Sequence, residues 1–109
     1  MGNPLLAAAF VMTGLLLVSG CQGKGGGQVH RVEMKTMGFA PAELTVAVGD
    51  TVVWANHDIV PHTATADGRQ FDSGSVNAGS EWSLVVREAG QIPYTCVFHA
   101  TMKGVLVVK

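Results

Sequence analysis

Charged side chains and cysteines are both scarce in this sequence. Only 14% of its 109 residues are charged, and the formal net charge is −1. Proteins that grip nucleic acid through its phosphates present a basic surface, so this composition predicts no nucleic-acid partner. The two cysteines are Cys21 and Cys96, and none lies between them. An immunoglobulin-type domain pinned by a disulfide between two core cysteines is therefore disfavoured.

The N-terminal segment lacks charge altogether up to residue 23. Residues 5–18 are almost wholly apolar, which is short for a membrane span and typical of a signal peptide, although no Lys or Arg precedes them. The segment ends in VSGC, which resembles the lipobox of bacterial lipoproteins. We therefore expect residues 1–20 to be a lipoprotein-type signal peptide and Cys21 to be lipidated. An ordinary signal peptide cleaved nearby is the alternative.

A glycine-rich tether over residues 21–28 separates this segment from a domain over residues 29–109. We expect an exported monomer on the periplasmic or cell-surface side, anchored to the membrane through Cys21. Cysteines usually pair in such a compartment. If Cys21 is lipidated, Cys96 has no cysteine to pair with. An unpaired thiol is unusual in an exported protein, and metal ligation is one explanation for it. A disulfide between Cys21 and Cys96 is the alternative.

The domain itself predicts only β-structure. Alternating or β-branched runs separated by Gly, Pro and Asp turns predict strands over residues 28–34, 43–48, 51–56, 62–66, 81–88, 92–97 and 103–109. In the alternating runs, Leu44, Val46 and Val48 are expected on one face, as are Trp82, Leu84 and Val86. The GD turn at residues 49–50 predicts a hairpin, and residues 37–43 read as a loop. Seven or eight short strands of this kind indicate an antiparallel sandwich or barrel.

Three side chains that can bind a soft metal follow one another at three-residue spacing: Cys96, His99 and Met102. On a helix they would spread over about 120° and converge poorly. The flanking β-branched residues also disfavour a helix, so we expect a tight loop between two strands. A fourth ligand has to come from His30, His57 or His62. His62 is favoured because Pro61 restricts the backbone before it.

This set of donors selects the metal. Zinc rarely takes methionine, and calcium and magnesium need oxygen ligands. Two imidazoles and a thiolate with a weak axial thioether form the type 1, or blue, copper arrangement. The sequence therefore predicts one type 1 copper ion.

The motifs together resemble the small blue-copper cupredoxins of the plastocyanin, pseudoazurin and amicyanin group. The resemblance rests on PHT at residues 61–63, on C-x₂-H-x₂-M, on FAPAELTVAVGDTVVWAN as the group's first hairpin and on GVLVV as its last strand. It implies an all-β Greek-key sandwich of seven to eight strands with copper near one end. It also implies that His62, Cys96 and His99 are the strong ligands and Met102 the long axial one. Electrons would pass at the exposed edge of His99, within an apolar patch whose candidate members are Met37, Pro41, Phe98 and Ala100.

Two departures from the group concern the neighbours of the ligands. Thr63 and Val97 stand where the group often has Asn and a hydroxyl residue that together lock two loops, and Ala100 replaces a frequent proline. We therefore expect different hydrogen bonds around the ligands. The predicted function is single-electron transfer between exported partners such as c-type cytochromes or a dehydrogenase or oxidase, and not catalysis. Copper delivery or sequestration in the cell envelope is the alternative.

Overall fold

The computed structural model of this chain describes residues 27–109, which form eight β-strands and no α-helix. The strands are β1 (Val29–Lys35), β2 (Gly38–Ala40), β3 (Glu43–Val46), β4 (Thr51–Asn56), β5 (Thr65–Ala66), β6 (Glu81–Val85), β7 (Gly90–Cys96) and β8 (His99–Val108). The expected signal peptide, the lipidation of Cys21 and most of the tether lie outside the described residues. Within residues 27–109, no helix is long and apolar enough to cross a membrane.

The strands form two four-stranded sheets that confirm the predicted all-β sandwich. One sheet has the order β2-β1-β4-β6 and the other has the order β3-β8-β7-β5. Both sheets are mixed and not purely antiparallel as predicted, because β1 pairs with β4 and β3 pairs with β8 in parallel. Each parallel pair joins segments that are distant in the chain. The first and last strands of the domain, β1 and β8, are therefore interior strands of their sheets.

The space between the sheets is filled by aromatic and branched side chains. Trp54 and Tyr94 are almost completely buried, and their rings meet edge to face with centroids 5.5 Å apart. Phe39 and Phe71 pack on the same Tyr94 ring at 4.7 and 5.9 Å. Burial raises the pKa of the Tyr94 hydroxyl to about 12. Such a close-packed cluster makes the interior around β7 rigid.

Three local predictions were wrong. The GD turn does not close a hairpin: β3 and β4 belong to different sheets, so Gly49 and Asp50 carry the chain across the sandwich. Residues 38–40 form β2 against β1 rather than a loop. The strand that contains Leu44 ends at Val46, so Val48 lies past its end and is 51% exposed. The inward face of the second alternating run was predicted correctly, since Val86 is buried and the partly buried Trp82 and Leu84 pack against the core.

Candidate metal centre

Two of the candidate ligands lie where β7 turns into β8. Cys96 is the last residue of β7 and His99 is the first of β8, so only Val97 and Phe98 form the turn. The register shifts between Thr95 and Cys96, and after this bulge Cys96 pairs directly with His99. A bulge next to a turn re-aims the side chains that follow it. The predicted loop is therefore shorter than expected: it is a two-residue turn between Cys96, where β7 ends, and His99, where β8 begins.

Met102 lies on β8, three residues beyond His99. Along β7 the inward side chains are Ile92, Tyr94 and Cys96, and along β8 the row of inward residues begins at Met102. Cys96 and Met102 are both almost fully buried and belong to one apolar cluster. The thioether is therefore on the same inner face of the sheet as the thiol.

His62 reaches this end of the sandwich from the loop that follows β4. Its amide donates to the carbonyl of Val76 at 3.1 Å, and its carbonyl accepts from the amide of Val76 at 2.8 Å. The buried Asn56 side chain holds the same loop by donating to the carbonyls of Val60 and Val76, each at 2.9 Å. With Pro61 before it, the backbone of His62 is fixed on both sides.

The structure brings His62, Cys96 and His99 together. One ligand atom of each lies within 4.8 Å of the others. The Cys96 sulfur is 3.7 Å from Nδ1 of each histidine, and the two imidazole rings are 5.1 Å apart. His62 and Cys96 are fully buried and His99 is partly exposed. Two imidazole nitrogens therefore face one sulfur from two directions, with the same nitrogen of each ring turned inward.

Thr63 links the two loops that carry these ligands. Its side-chain oxygen accepts the amide N–H of Val97 at 2.9 Å, and its own amide donates to the Cys96 sulfur at 3.4 Å. The hydroxyl of Thr65 donates to the same Thr63 oxygen. The hydrogen bonding around the ligands therefore differs from the family pattern at one identifiable contact, that between Thr63 and Val97. Val97 offers no side-chain hydroxyl, yet its backbone amide still joins the ligand turn to Thr63.

Asp58 is a neighbour of the site that sequence reasoning missed. Its carboxylate lies 2.7 Å from Nε2 of His62. Burial raises the pKa of the Asp58 carboxyl, but the hydrogen bonds from His62, Met37 and Thr36 outweigh it and leave the pKa lowered. The i, i+4 spacing of an acid and a histidine was visible in the sequence. It carried no signal without a helix to give it meaning.

The remaining histidines lie outside the cluster. His30 pairs with Asp50 at 2.9 Å, and His57, which is largely exposed, pairs with Glu33. His30 lies beside the start of β4, whereas His57 follows its end. Neither belongs to the group of ligand atoms around Cys96.

The donor set fits one type 1 copper ion. Among the described residues Cys96 has no disulfide partner, and a buried thiol facing two imidazoles is a soft site of the kind that copper prefers. The apolar walls around Cys96 and Met102 keep water away from the sulfur ligands. Zinc would leave the methionine without a role.

The fold and this donor set together define a blue-copper domain. The family described as the cupredoxin-like domain matches residues 6–108. The chain therefore belongs to the cupredoxin-like family.

Individual relatives agree with this assignment. Amicyanin from Paracoccus denitrificans is 35% identical over 83 residues, which are 72% of this chain and 63% of the amicyanin, so the chain spans less than two thirds of that relative. Plastocyanin from Scenedesmus fuscus is 32% identical over 65% of this chain and 86% of its own.

Solved structures show the same fold in two settings. The Cu(I) form of an amicyanin mutant superimposes with a TM-score of 0.69 at 30% identity, covering 74% of this chain and 82% of the amicyanin. A copper-containing nitrite reductase from Thermus scotoductus SA-01 matches with a TM-score of 0.69 at 26% identity over 73% of this chain, but over only 22% of the reductase. The fold therefore occurs both alone and as part of a larger enzyme.

Proposed function

We propose that this protein is a type 1 copper protein that carries single electrons between redox partners. The proposal rests on one observation: the ligand atoms of His62, Cys96 and His99 lie close together at one end of the sandwich. In this proposal Nδ1 of His62, Nδ1 of His99 and the sulfurs of Cys96 and Met102 would hold the copper. The bound copper supplies a one-electron couple between Cu(I) and Cu(II).

The protein's own contribution is to hold these donors in place. Three sets of backbone contacts restrain the segments that carry the ligands. They are the two hydrogen bonds between His62 and Val76, the Thr63–Val97 hydrogen bond and the strand pairing of Cys96 with His99. Ligands that cannot move far serve both oxidation states, so little rearrangement accompanies electron transfer.

We infer that the protein is a carrier and not an enzyme. Four protein ligands leave no open position for a substrate on the metal. A second copper centre would need further histidines, and the two that remain, His30 and His57, are paired with carboxylates and are not members of the ligand cluster.

The route for electrons is the partly exposed edge of His99. Met37 and Phe98 are large apolar side chains that are 47% and 51% exposed, and Pro41 and Ala100 are exposed as well. Ile59 and Val97 are also exposed apolar residues in the loops that carry ligands and were not foreseen. An apolar surface of this kind suits a transient redox partner because it desolvates easily. A c-type cytochrome or an exported dehydrogenase or oxidase is the partner class we propose.

The cell-envelope location is part of the same proposal. Lipidation of Cys21 would hold the domain at a membrane through the residues that precede β1. The test is a Cys21→Ala variant expressed in a host that processes lipoproteins. We expect wild type in the membrane fraction and the variant in the soluble fraction, and equal partitioning of the two would refute the anchor.

Light absorption tests the copper assignment. Residues 27–109 are purified, Cu(II) is added, and the visible spectrum is recorded for wild type and for Cys96→Ser. We expect an intense blue band in wild type only, because the band needs a copper–thiolate bond. A band that survives the substitution, or its absence from wild type, would sink the assignment.

Electron exchange then separates a carrier from a copper-delivery protein. Stopped-flow mixing with reduced cytochrome c is expected to bleach the blue band rapidly, while a Cu(I) chelator removes copper slowly. The opposite ranking would favour delivery. Phe98→Glu should slow the exchange and leave the band unchanged. Val48→Glu is the matched control, because Val48 is equally exposed but lies in the turn between β3 and β4.

A further inference from the structure

The Asp58 carboxylate contacts three groups at once. Its Oδ2 atom lies 2.7 Å from Nε2 of His62 and accepts the amide N–H of Met37 at 3.0 Å. Its Oδ1 atom accepts the amide N–H of Thr36 at 2.7 Å. An ionised carboxylate only accepts, so Nε2 of His62 carries the proton and donates it. Nδ1 of His62, which faces Cys96, is left with its lone pair free for a metal.

The turn between β1 and β2 holds this carboxylate in place. Thr36 and Met37 have φ angles of 54° and 60°, in the left-handed region that few residues other than glycine adopt. Two consecutive amides in such a turn point toward one side and form a cradle for an anion. The amide of Asp58 in turn donates to the side chain of Asn56 at 2.9 Å. The carboxylate is therefore clamped from the turn, from its own loop and by His62.

We propose that Asp58 is a positioning residue for the copper centre, which fixes the ring and tautomer of His62 and places a negative charge behind this ligand. The proposal rests on the proposed copper function. A carboxylate bonded to the outer nitrogen of a metal-binding histidine makes the imidazole a stronger donor. A fixed negative charge also favours the more positive oxidation state. Asp58 therefore stabilises Cu(II) relative to Cu(I).

The chain offers a matched control at the opposite end of β4. Asp50 accepts from the amides of Gln28 and Ala47 and pairs with Nε2 of His30, each at 2.9 Å. This is the same combination of two backbone amides and one imidazole that surrounds Asp58. Because His30 is not among the clustered ligand atoms, Asp50→Asn removes an equivalent carboxylate without touching a ligand.

The test compares the reduction potentials of copper-loaded wild type, Asp58→Asn, Asp58→Glu and Asp50→Asn, with urea unfolding measured alongside. For Asp58→Asn we expect the ratio of Cu(II) to Cu(I) affinity to fall about tenfold, in the range usual for such partners. That is a rise in potential of about 59 mV for one electron. Asp58→Glu keeps the charge and should stay closer to wild type. Asp50→Asn should lose stability without a change in potential.

A second measurement follows His62 directly. In the Cu(I) protein, nitrogen NMR should show protonated Nε2 on His62 in wild type. If Asp58→Asn does not fold, Asp58→Glu decides, and a shift as large as tenfold there refutes the role of the charge.

Other outcomes also overturn the inference. A folded, blue Asp58→Asn protein whose affinity ratio changes less than twofold would refute it. So would an equal shift in Asp50→Asn, since the effect would then be one of overall charge. A wild-type protein that forms no blue centre is a different result, because it refutes the copper function itself.

Discussion

Replacing Thr63 with valine tests how the two ligand loops are locked together. Thr63 is only 2% exposed, and its hydroxyl oxygen accepts from the amide of Val97 and from the hydroxyl of Thr65. Valine has nearly the same shape but accepts nothing. Thr65 keeps a second acceptor, Asp72, at 3.0 Å, so one donor, the Val97 amide, is left without its partner.

The expected cost follows from that single orphaned amide. Val97 is 61% exposed and the bond is only partly buried, so its loss costs about 0.5–1.5 kcal/mol of the free energy of unfolding. For a loss of about 1 kcal/mol, a domain of this size should melt about 4–8 °C lower. The blue band should shift as well, because loss of the Thr63–Val97 bond loosens the loop whose amide donates to the Cys96 sulfur.

The assay is urea and thermal unfolding of the copper-free and copper-loaded proteins. Thr45→Val is the control, since Thr45 is exposed on β3 and has no part in the site. It should change stability by less than about 0.5 kcal/mol, as surface substitutions usually do. If Thr63→Val matches Thr45→Val in both stability and spectrum, the reasoning about the lock is refuted.

Three further predictions concern separate parts of the domain. Backbone hydrogen bonding from Ala47, with the contacts from His30 and Gln28, lowers the pKa of Asp50 from 3.8 to about 2. Because its pKa is lower in the folded state, the Asp50 carboxylate stabilises the fold at any pH above its unfolded-state pKa, and this stabilisation is lost as the pH falls through the folded-state pKa. The difference in free energy of unfolding between wild type and Asp50→Asn should therefore be largest near about pH 6 and should shrink as the pH falls toward 2. A difference that stays constant in urea unfolding would contradict this. Gly104→Ala would place a Cβ 2.5 Å from the packed Tyr94 ring, and we expect about 1–3 kcal/mol of destabilisation in the same assay, against which a neutral effect would count. Met102→Leu removes the axial sulfur and should raise the reduction potential while the blue band persists, and an unchanged potential would place Met102 outside the coordination sphere.

The ligands could be anticipated because their chemistry is local and unusual. An unpaired cysteine followed by His99 and Met102 has few structural explanations, and Pro61 marked His62. The sandwich could be anticipated from the alternation of Trp82, Leu84 and Val86. These signals depend on residue type and short spacing, which a sequence displays directly.

The error about the GD turn concerns pairings between segments far apart in the chain, whereas the other two errors are local. A GD turn between two apolar strands is compatible either with a hairpin or with a crossing between sheets. The parallel partners β1 and β8 decide it, and no local pattern reports them. Asp58 is likewise held by residues distant in the sequence. Its partners Thr36 and Met37 lie more than twenty positions away.

The place of β8 in the second sheet has a consequence for how the protein is made. β8 is an interior strand between β3 and β7, and it carries two of the four candidate ligands. A ribosome releases about 5–20 residues per second, and a domain folds as a unit. Until residues 105–108 have emerged, β3 has no parallel partner and the pairing of β7 with β8 is incomplete. The sheet that surrounds the candidate ligands is therefore complete only after this segment has emerged.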